Sequence, residues 1–507
     1  MSSLAIVHSR AQVGIQALPV TIEVHLTNGL PRLSIVGLPE AAVKESQDRV
    51  RSALLNSQFE FPLQRITINL APADLPKEGG RFDLAIAIGI LAASRQISAD
   101  ELSHYEFIGE LALNGELRPV RGVLPMAMEA RNAQRQAVVP NDNATEASMV
   151  NDASVLPIKH LLDICEHLQG TSLITPFVIS NEEVKSDLLH NIHMPDLSDV
   201  RGQHYAKRAL EVTAAGGHNL LMLGPPGTGK TMLASRMAGI LPPMVESEAL
   251  ATATVASIAI GGFDVKTWGI RPFRSPHHTA SGVALVGGGS HPRPGEISLA
   301  HNGILFLDEL PEFDKRVLEV LREPLESGHI VISRAAQQSE FPANFQLVAA
   351  MNPCPCGYLG DSNNRCSCSP QQVSRYRAKI SGPLLDRIDI HIEVPNLPRM
   401  ELRNDKKRET SAIVRKRVVK ARELQLQRAG KANNLLGNRE IEKYCHLSDS
   451  DENLLDKAIE QLGLSARAWY RILKVARTIA DLDGSEAIQT SHLTESITYR
   501  RLERKRT

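Results

Sequence analysis

The spacing of apolar residues over the first third of the chain predicts a mixed α+β domain. Apolar side chains occupy alternate positions in Thr21–Leu26 and Arg65–Leu70, as in strands with one buried face. Glu40–Leu55 has the spacing of an amphipathic helix, and Asp83–Ser94 is apolar enough for a buried one. The pattern therefore assigns residues 1–170 to an α+β domain.

The pattern changes twice further along the chain. Residues 171–198 lose periodicity and carry acidic, Asn- and Ser-rich stretches, which predicts a linker. Short apolar runs then alternate with helical patterns over residues 199–398, which predicts a parallel α/β sheet. Residues 399–507 contain only helical patterns. We therefore expect a multidomain α/β protein with an α-helical C-terminal domain.

Composition restricts the partners and the compartment. Lys+Arg and Asp+Glu both number 57, so any nucleic-acid surface must be local. The longest apolar stretch, Leu84–Ala93, is far shorter than the roughly 20 residues that a membrane helix needs. Six cysteines in a long chain without an evident secretory signal indicate a reducing compartment. We expect a cytoplasmic protein that does not bind membranes.

A glycine-rich loop between a predicted strand and a predicted helix carries the strongest chemical signal. It matches G-x-x-x-x-G-K-[ST], in which backbone N–H groups surround phosphate oxygens at the positive end of a helix. Lys230 is expected to reach the β- and γ-phosphates of ATP, and Thr231 to bind Mg²⁺. The predicted nucleotide-binding residues are Gly224, Pro225, Pro226, Gly227, Thr228, Gly229, Lys230 and Thr231.

Polar residues at the ends of two further predicted strands complete a hydrolytic site. Asp308 and Glu309 follow a buried run, and ligands bind at the carboxyl ends of strands in such sheets. Asp308 is expected to hold Mg²⁺ through water, and Glu309 to polarise the attacking water. Asn352 follows the next predicted strand, where it either orients that water or starts a turn before Pro353.

Two arginine positions are candidates for contact with the γ-phosphate. Arg387 is either presented to the nucleotide of a neighbouring subunit, where it stabilises transition-state charge, or pairs locally with Asp386 or Asp389. Arg467 and Arg471 lie on one predicted helix, and either can fold back onto the nucleotide. We prefer Arg467 because it is nearer the start of that helix.

Four cysteines form two C-x-C pairs separated by nine residues: Cys354, Cys356, Cys366 and Cys368. Four thiolates suit tetrahedral Zn²⁺, which here would be structural because no position is left for water. The C-x-C spacing is tighter than the usual C-x₂-C. Reduced structural thiols and disulfides formed during purification therefore remain open alternatives.

These motifs, in their order along the chain, resemble the motifs of AAA+ P-loop ATPases of the magnesium-chelatase-like branch. They are most similar to those of the ComM/YifB family. The resemblance extends over nearly the whole chain and includes the strings Arg271–His278, Gly287–Gly289, Pro294–Gly303 and Met351–Gly357. It implies a ring-forming, hexameric ATPase with ATP and Mg²⁺ as cofactors. The family is associated with DNA branch migration in natural transformation. The resemblance also implies that Val200 and Gln203 lie beside the adenine.

The resemblance further implies loops that grip single-stranded or branched DNA without sequence preference. Residues 256–300 look like an insert within the second helix of the core, and residues 328–342 like a hairpin before the strand of Asn352. Positive side chains on such loops suit phosphate contact, although they could equally brace subunit interfaces. The candidate DNA-binding residues are Lys266, Arg271, Arg274, Arg293 and Arg334.

Residues 1–170 resemble the Lon-protease domain, which has the ribosomal S5 domain 2-like fold. Arg81 stands where that family has its nucleophilic serine, and Leu124 where it has lysine. Because arginine cannot act as an acyl-transfer nucleophile, peptidase activity is not expected. Ring assembly, DNA contact and partner docking remain open roles for this domain.

The leading hypothesis is an ATP-driven DNA motor for branch migration, with recombination proteins as further partners. A chelatase-type motor that remodels a metal-inserting partner protein is the alternative, against which the Lon-like domain argues. An ATP-dependent Lon-like protease is a third class.

Overall fold

The computed structural model describes residues 3–37, 43, 45–179, 194–289, 292–333, 338–360, 365–398 and 408–500. The chain divides into two compact units, residues 1–191 with 249–268 and residues 192–248 with 269–507. The predicted linker, residues 171–198, is described only at its two ends.

The described residues of the first unit form three sheets. The order β1-β2-β4-β3 forms a four-stranded sheet in which only β3 and β4 are parallel, β5-β8-β9 are parallel, and β6-β7 are antiparallel. The strands are β1 Ser3–Val13, β2 Gln16–Thr27, β3 Arg32–Val36, β4 Arg65–Ala71, β5 Tyr105–Phe107, β6 Glu110–Leu111, β7 Leu117–Arg118, β8 Gln136–Pro140 and β9 Val155–Ile158. The helices are Ser46–Asn56, Asp83–Ala93, Val123–Asn132, Ala144–Ala147 and Leu161–Leu168.

The predicted buried helix forms as Asp83–Ala93, and all its residues are buried. It packs on β1 and β2, where it shares a core with Val7 and Val24. Gly89 permits the close approach, since a Cβ there would lie 2.5 Å from a methyl group of Val24. This helix forms the centre of the first unit because it is apolar on every side.

Residues 249–268 join the first unit, whereas the sequence assigned residues from 256 onward to an insert of the ATPase core. Phe263 and Trp268 pack against the apolar cluster that contains Met126 and Ala127. The backbone N–H of Gly122 also donates to the carbonyl of Ser257. Apolar burial therefore divides the predicted insert between the two units. The boundary between the two units falls between residues 248 and 249, within the helix Glu246–Ile258.

The second unit is built on a five-stranded parallel sheet, in the order β11-β14-β17-β10-β18. Two antiparallel pairs, β12-β13 and β15-β16, stand beside it, and β15-β16 occupies the region expected to form a hairpin. The strands are β10 Leu220–Leu223, β11 Phe273–Arg274, β12 Gly287–Gly288, β13 Arg293–Pro294, β14 Ile304–Leu307, β15 His329–Ser333, β16 Gln338–Pro342, β17 Gln346–Met351 and β18 Ile390–Glu393.

Helices cover this sheet and make up the C-terminal part of the unit. They are His204–Gly216, Lys230–Met237, Gly282–Val286, Glu296–Leu299, Lys315–Val320, Pro324–Ser327, Pro370–Arg377, Gly382–Leu385, Ser411–Ala429, Asn438–Tyr444, Asp449–Leu462, Ala466–Leu482 and Thr490–Thr498. The predicted fold class, a multidomain α/β protein with a helical C-terminal region, is confirmed. Across the described ranges, every helix is too short or too polar to cross a membrane.

The basic helix Ser411–Ala429 uses several of its arginines for internal contacts. Arg422 donates to the carbonyls of Ala214 and Ala215, at the C-terminal end of the helix His204–Gly216. Arg417 donates to Glu211 on the same helix at 2.5 Å. Arg422 lies at the negative end of that helix, and both arginines hold the helix Ser411–Ala429 against it.

Candidate functional site

The phosphate loop connects β10 to the helix Lys230–Met237 and depends on its glycines. Gly227 and Gly229 have φ angles of 80° and 89°, which only glycine adopts without strain. A side chain at Gly224 would collide with the carbonyl oxygen of Val394. The sequence thus forces a tight curl that leaves the N-terminus of the helix facing an anion site.

Lys230 lies where β10 and β17 end side by side. Its Nζ donates to the carbonyls of Gly224 (2.7 Å) and Pro225 (2.9 Å) and to Oδ1 of Asn352 (3.1 Å). Burial lowers the pKa of Lys230, while the charges of Asp308 and Glu309 oppose that shift. The structure therefore brings the predicted lysine and the predicted asparagine together.

Thr231 and Asp308 also meet, although 77 positions separate them. The Thr231 hydroxyl donates to Oδ2 of Asp308 at 2.5 Å, so both predicted Mg²⁺ ligands lie at one point. The residues therefore fit the metal chemically, since hydroxyl and carboxylate oxygens suit Mg²⁺.

Glu309 contacts a residue for which the sequence predicted no catalytic role. Oε2 of Glu309 lies 3.3 Å from Nδ1 of His278, and the backbone of Glu309 is left-handed, with φ 51°. His278 in turn stacks on His277 at 4.1 Å between ring centroids and meets the ring of Phe313 edge-on. His278 is thus the described side chain placed to orient the carboxylate. The sequence signal that could have pointed to His278 was its position in Arg271–His278, one of the strings that carry the family resemblance.

Val200 and Gln203 lie behind the phosphate loop. Gln203 is buried, and its Nε2 donates to the carbonyls of Pro395 (2.9 Å) and Thr228 (3.4 Å). Val200 is buried, and its carbonyl accepts a 2.6 Å bond from Lys207. Gln203 therefore supports the loop through Thr228, and contact of either residue with adenine stays a prediction.

Arg387 is buried and held by contacts within its own chain. It forms an ion pair with Glu326, and its Nη1 donates to the carbonyl of Pro383 at 2.7 Å. Its Nε is buried without a hydrogen-bond partner among the described residues. The local alternative, a pair with Asp386 or Asp389, does not form in the part of the chain that the structure describes.

Arg471, rather than Arg387, pairs with Asp389. The two side chains form an ion pair, and Nη1 of Arg471 also donates to the carbonyl of Arg387 at 3.1 Å. Although burial opposes the shift, the charge of Arg471 and the hydrogen bond from the Asn219 backbone hold the pKa of Asp389 far below its ordinary value. Arg471 therefore has a structural role.

Replacing Asp389 by asparagine is expected to lower the free energy of unfolding of the second unit by about 2–3 kcal/mol at neutral pH. Because the folded pKa is depressed, this contribution is complete above about pH 4 and disappears as the pH falls below it. Fluorescence of Trp469 during urea unfolding, in a Trp268→Phe background, reports on this unit alone. Asp386→Asn is the control, and equal losses in both variants would contradict the assignment.

Arg467 is exposed and lies near the same acidic group as Arg387. The hydrogen bond from Arg387 lowers the pKa of Glu326, burial opposes this, and the charges of Arg387, Arg467 and Arg471 lower it further. The charges of three arginines thus act on one carboxylate, which Arg387 contacts directly. Arg467 is more exposed than Arg471, and contact of Arg467 with a nucleotide stays a prediction.

The predicted DNA-binding residues fall into separate groups. Arg271 donates to Glu248 and to the carbonyls of Pro242 and Asn302, all at 2.7 Å. Arg274 forms two hydrogen bonds with Glu296, at 2.6 and 2.7 Å. Both arginines are therefore engaged by contacts within their own chain, and contact with DNA or with a neighbouring subunit stays a prediction.

The remaining DNA candidates differ in where they lie. Lys266 and Arg293 are exposed, but Lys266 belongs to the first unit and Arg293 to the second. Arg334 lies outside the described residues. Lys266 and Arg293 are therefore the described candidates with exposed side chains.

The four predicted zinc ligands converge. Their sulfur atoms all lie within 4.8 Å of one another, and the Cys354–Cys356, Cys356–Cys366 and Cys354–Cys366 separations are 3.3, 3.6 and 3.8 Å. All four cysteines are free thiols in this structure, and disulfides formed during purification stay an open alternative. The donor set fits a tetrahedral thiolate site.

The two positions at which the Lon-like resemblance fails have different surroundings. Leu124 is fully buried in an apolar cluster, and Arg81 donates to the carbonyl of Arg121 at 2.7 Å. Neither position offers a nucleophile or a base. Both residues instead contribute packing and hydrogen bonding within the first unit.

A parallel sheet with β17 between the phosphate-loop strand and the Asp-Glu strand defines a P-loop ATPase of the AAA+ class. Residues 196–402 match the family described as "Magnesium chelatase, subunit ChlI", and residues 22–143 match "Subunit ChlI of Mg-chelatase". Residues 408–500 match "Magnesium chelatase, subunit ChlI C-terminal".

Relatives that match over nearly the whole chain define the family more closely than the family models do. The chain is 56% identical to "Competence protein ComM" of Haemophilus influenzae, over 99% of this chain and 98% of that relative. It is 52% identical to "Uncharacterized protein YifB" of Escherichia coli over the same shares. A "Magnesium-chelatase 67 kDa subunit" of Chlorobaculum tepidum is 28% identical over 31% of this chain and 23% of the relative. The chain belongs to the ComM/YifB family of magnesium-chelatase-like AAA+ proteins, which confirms the resemblance.

Proposed function

We propose that this protein is a ring-forming, hexameric ATPase that moves on single-stranded or branched DNA and promotes branch migration of recombination intermediates during natural transformation. The observation that carries the proposal is the convergence of Lys230, Thr231, Asp308, Glu309 and Asn352 at one edge of the sheet. The chain is 56% identical to a competence protein, and this similarity supports DNA as the proposed substrate.

Each residue of this edge has a defined task in hydrolysis. Lys230 neutralises the β- and γ-phosphates, and the Thr231–Asp308 pair holds Mg²⁺, which withdraws charge from the phosphate oxygens. Glu309, oriented by His278, accepts a proton from the attacking water. Asn352 accepts a hydrogen bond from Lys230, so its amide would be available to position that water when ATP is bound. ATP and Mg²⁺ are the cofactors of this function, and the four thiols add a candidate site for structural Zn²⁺.

Arg387 is proposed to complete the site of the neighbouring subunit. Its partner Glu326 has a side chain that is 56% exposed, so the pair lies at the protein surface rather than in the core. The unsatisfied Nε of Arg387 is consistent with a group that forms its full set of bonds elsewhere. Arg467, on the same surface, is proposed to approach the same phosphate.

The proposed function is tested by ATP-dependent migration of a synthetic four-way DNA junction. The wild-type protein should dissociate the junction only with ATP, and DNA should stimulate its ATPase activity. Lys230→Ala is the matched control for contaminating helicases. ATP hydrolysis that DNA leaves unchanged, together with an intact junction, would contradict the proposal.

A chelatase-type motor that remodels a metal-inserting partner protein is the second candidate. It is favoured by the three magnesium-chelatase matches, which together cover most of the chain. The same DNA-stimulation assay separates the two candidates, because a motor that acts on a protein needs no DNA. An ATP-dependent Lon-like protease has no such support, since Arg81 replaces its nucleophile.

A further inference from the structure

The four-cysteine cluster has the dimensions of a tetrahedral metal site. With zinc–sulfur bonds of about 2.3 Å, the edges of a regular tetrahedron measure about 3.8 Å. Three of the sulfur–sulfur separations are 3.3, 3.6 and 3.8 Å, so little movement would bring these atoms onto one ion. They are well above the roughly 2.05 Å of a disulfide.

The cluster begins directly after the strand that ends at the nucleotide site. Cys354 is buried two residues beyond Asn352, which Lys230 contacts at 3.1 Å. Arg377 donates to the carbonyl of Pro353, at 3.2 and 3.3 Å from its Nη2 and Nε, and so fixes the intervening residue. The cysteine-bearing segment and the Asn352 tip are therefore one continuous, tightly held turn.

The same segment also touches the phosphate loop. A Cβ added at Gly357 would lie 2.7 Å from Cδ of Pro226, so the backbone of Gly357 packs against the Pro226 ring with no space for a side chain. Gly357 has φ 84° and follows Cys356 directly. An interaction that fixes Cys356 therefore also fixes Gly357 and its contact with Pro226 of the phosphate loop.

We propose that the four cysteines bind one Zn²⁺ ion as thiolates, and that this ion sets the position of Asn352 and Pro226 for nucleotide binding. The ion is structural, because four protein ligands leave no position for water. Its influence on the nucleotide rests on the proposed ATPase function, whereas zinc binding itself does not. Loss of the metal would free the turn and loosen both contacts with the phosphate loop.

Metal binding is tested on the full chain purified under reducing conditions. Elemental analysis should find about one zinc per chain, and cobalt substitution should give thiolate-to-metal charge-transfer absorption. Cys368→Ser should weaken metal binding at least about tenfold. Cys445→Ser, which alters a buried cysteine outside the cluster, should retain the zinc.

Wild-type protein without zinc, and without a cobalt–thiolate spectrum after metal addition, would overturn the proposal. If Cys368→Ser is insoluble, release of zinc from wild-type protein by a mercurial, followed with a chelating dye, gives the same information. Lys230→Ala should keep its zinc while losing ATP, so failure of the ATPase function and failure of metal binding are distinguishable.

Coupling to the nucleotide is tested with two glycines of matched conformation. Gly357→Ala should raise the Kd of a fluorescent ATP analogue about tenfold and retain zinc, because the new methyl group displaces Pro226. Gly360 has φ 82°, and a Cβ added there would meet nothing within 4 Å, so Gly360→Ala carries the same backbone strain without the contact. Equal affinity in both variants, or unchanged affinity after zinc extraction, would overturn the coupling.

Discussion

Glu309→Gln is expected to lower the rate of ATP hydrolysis about 100- to 10,000-fold while the protein still binds ATP. The amide keeps the shape of the side chain and lies at the same point beyond β14, but it cannot accept a proton from water. The binding residues Lys230, Thr231 and Asp308 are untouched. Phosphate release measures hydrolysis, and retention of labelled ATP on a filter measures binding.

Glu312→Gln is the matched control, because Glu312 is an exposed carboxylate three residues away that pairs with Lys379 at 3.2 Å. It should hydrolyse ATP normally. Lys230→Ala should instead lose binding and hydrolysis together, which separates the two tasks. Hydrolysis at the wild-type rate by Glu309→Gln would remove this residue from the mechanism.

Arg387→Ala is expected to lower ATP turnover about 1000-fold or more, and mixing it with Lys230→Ala subunits should restore part of the activity. In a mixed ring, an intact phosphate loop from one variant meets an intact Arg387 from the other at some subunit junctions. An arginine supplied in this way contributes about 10³–10⁵ in rate. Activity is measured against the fraction of each variant, with mixed rings verified by differently tagged subunits.

Glu326→Gln is the control that separates catalysis from packing. If Arg387 served only to pair with Glu326 in its own subunit, removing either charge would cause the same loss of activity. If Arg387 acts on a neighbouring nucleotide, Glu326→Gln should retain turnover because it releases the guanidinium. Matching losses in the two single variants, with no recovery in mixed rings, would contradict action in trans.

The phosphate loop could be predicted from the sequence because its function depends on neighbouring residues. The positive φ angles of Gly227 and Gly229 and the following helix are consequences of local backbone preference. The same holds for Asp308 and Glu309 after a buried strand. That these residues meet Lys230 and Asn352 follows from the rule that parallel strands present their carboxyl ends at one edge.

The arginines show what sequence reasoning could not decide. Arg271 and Arg274 have the charge of DNA contacts, yet each is occupied by a carboxylate 22 or 23 positions away. Arg387 pairs with Glu326 rather than with its sequence neighbours Asp386 and Asp389. A charge in the sequence does not specify its partner, because the partner depends on which elements pack together.

By itself, the sequence determined the fold class, the family, the phosphate loop and the acidic pair, since backbone preference and apolar periodicity act over a few residues. Only the tertiary structure decided that residues 249–268 join the first unit, that His278 is placed to orient Glu309, and that four thiols converge beside Asn352. These outcomes depend on burial and pairing between distant segments, which no local pattern encodes.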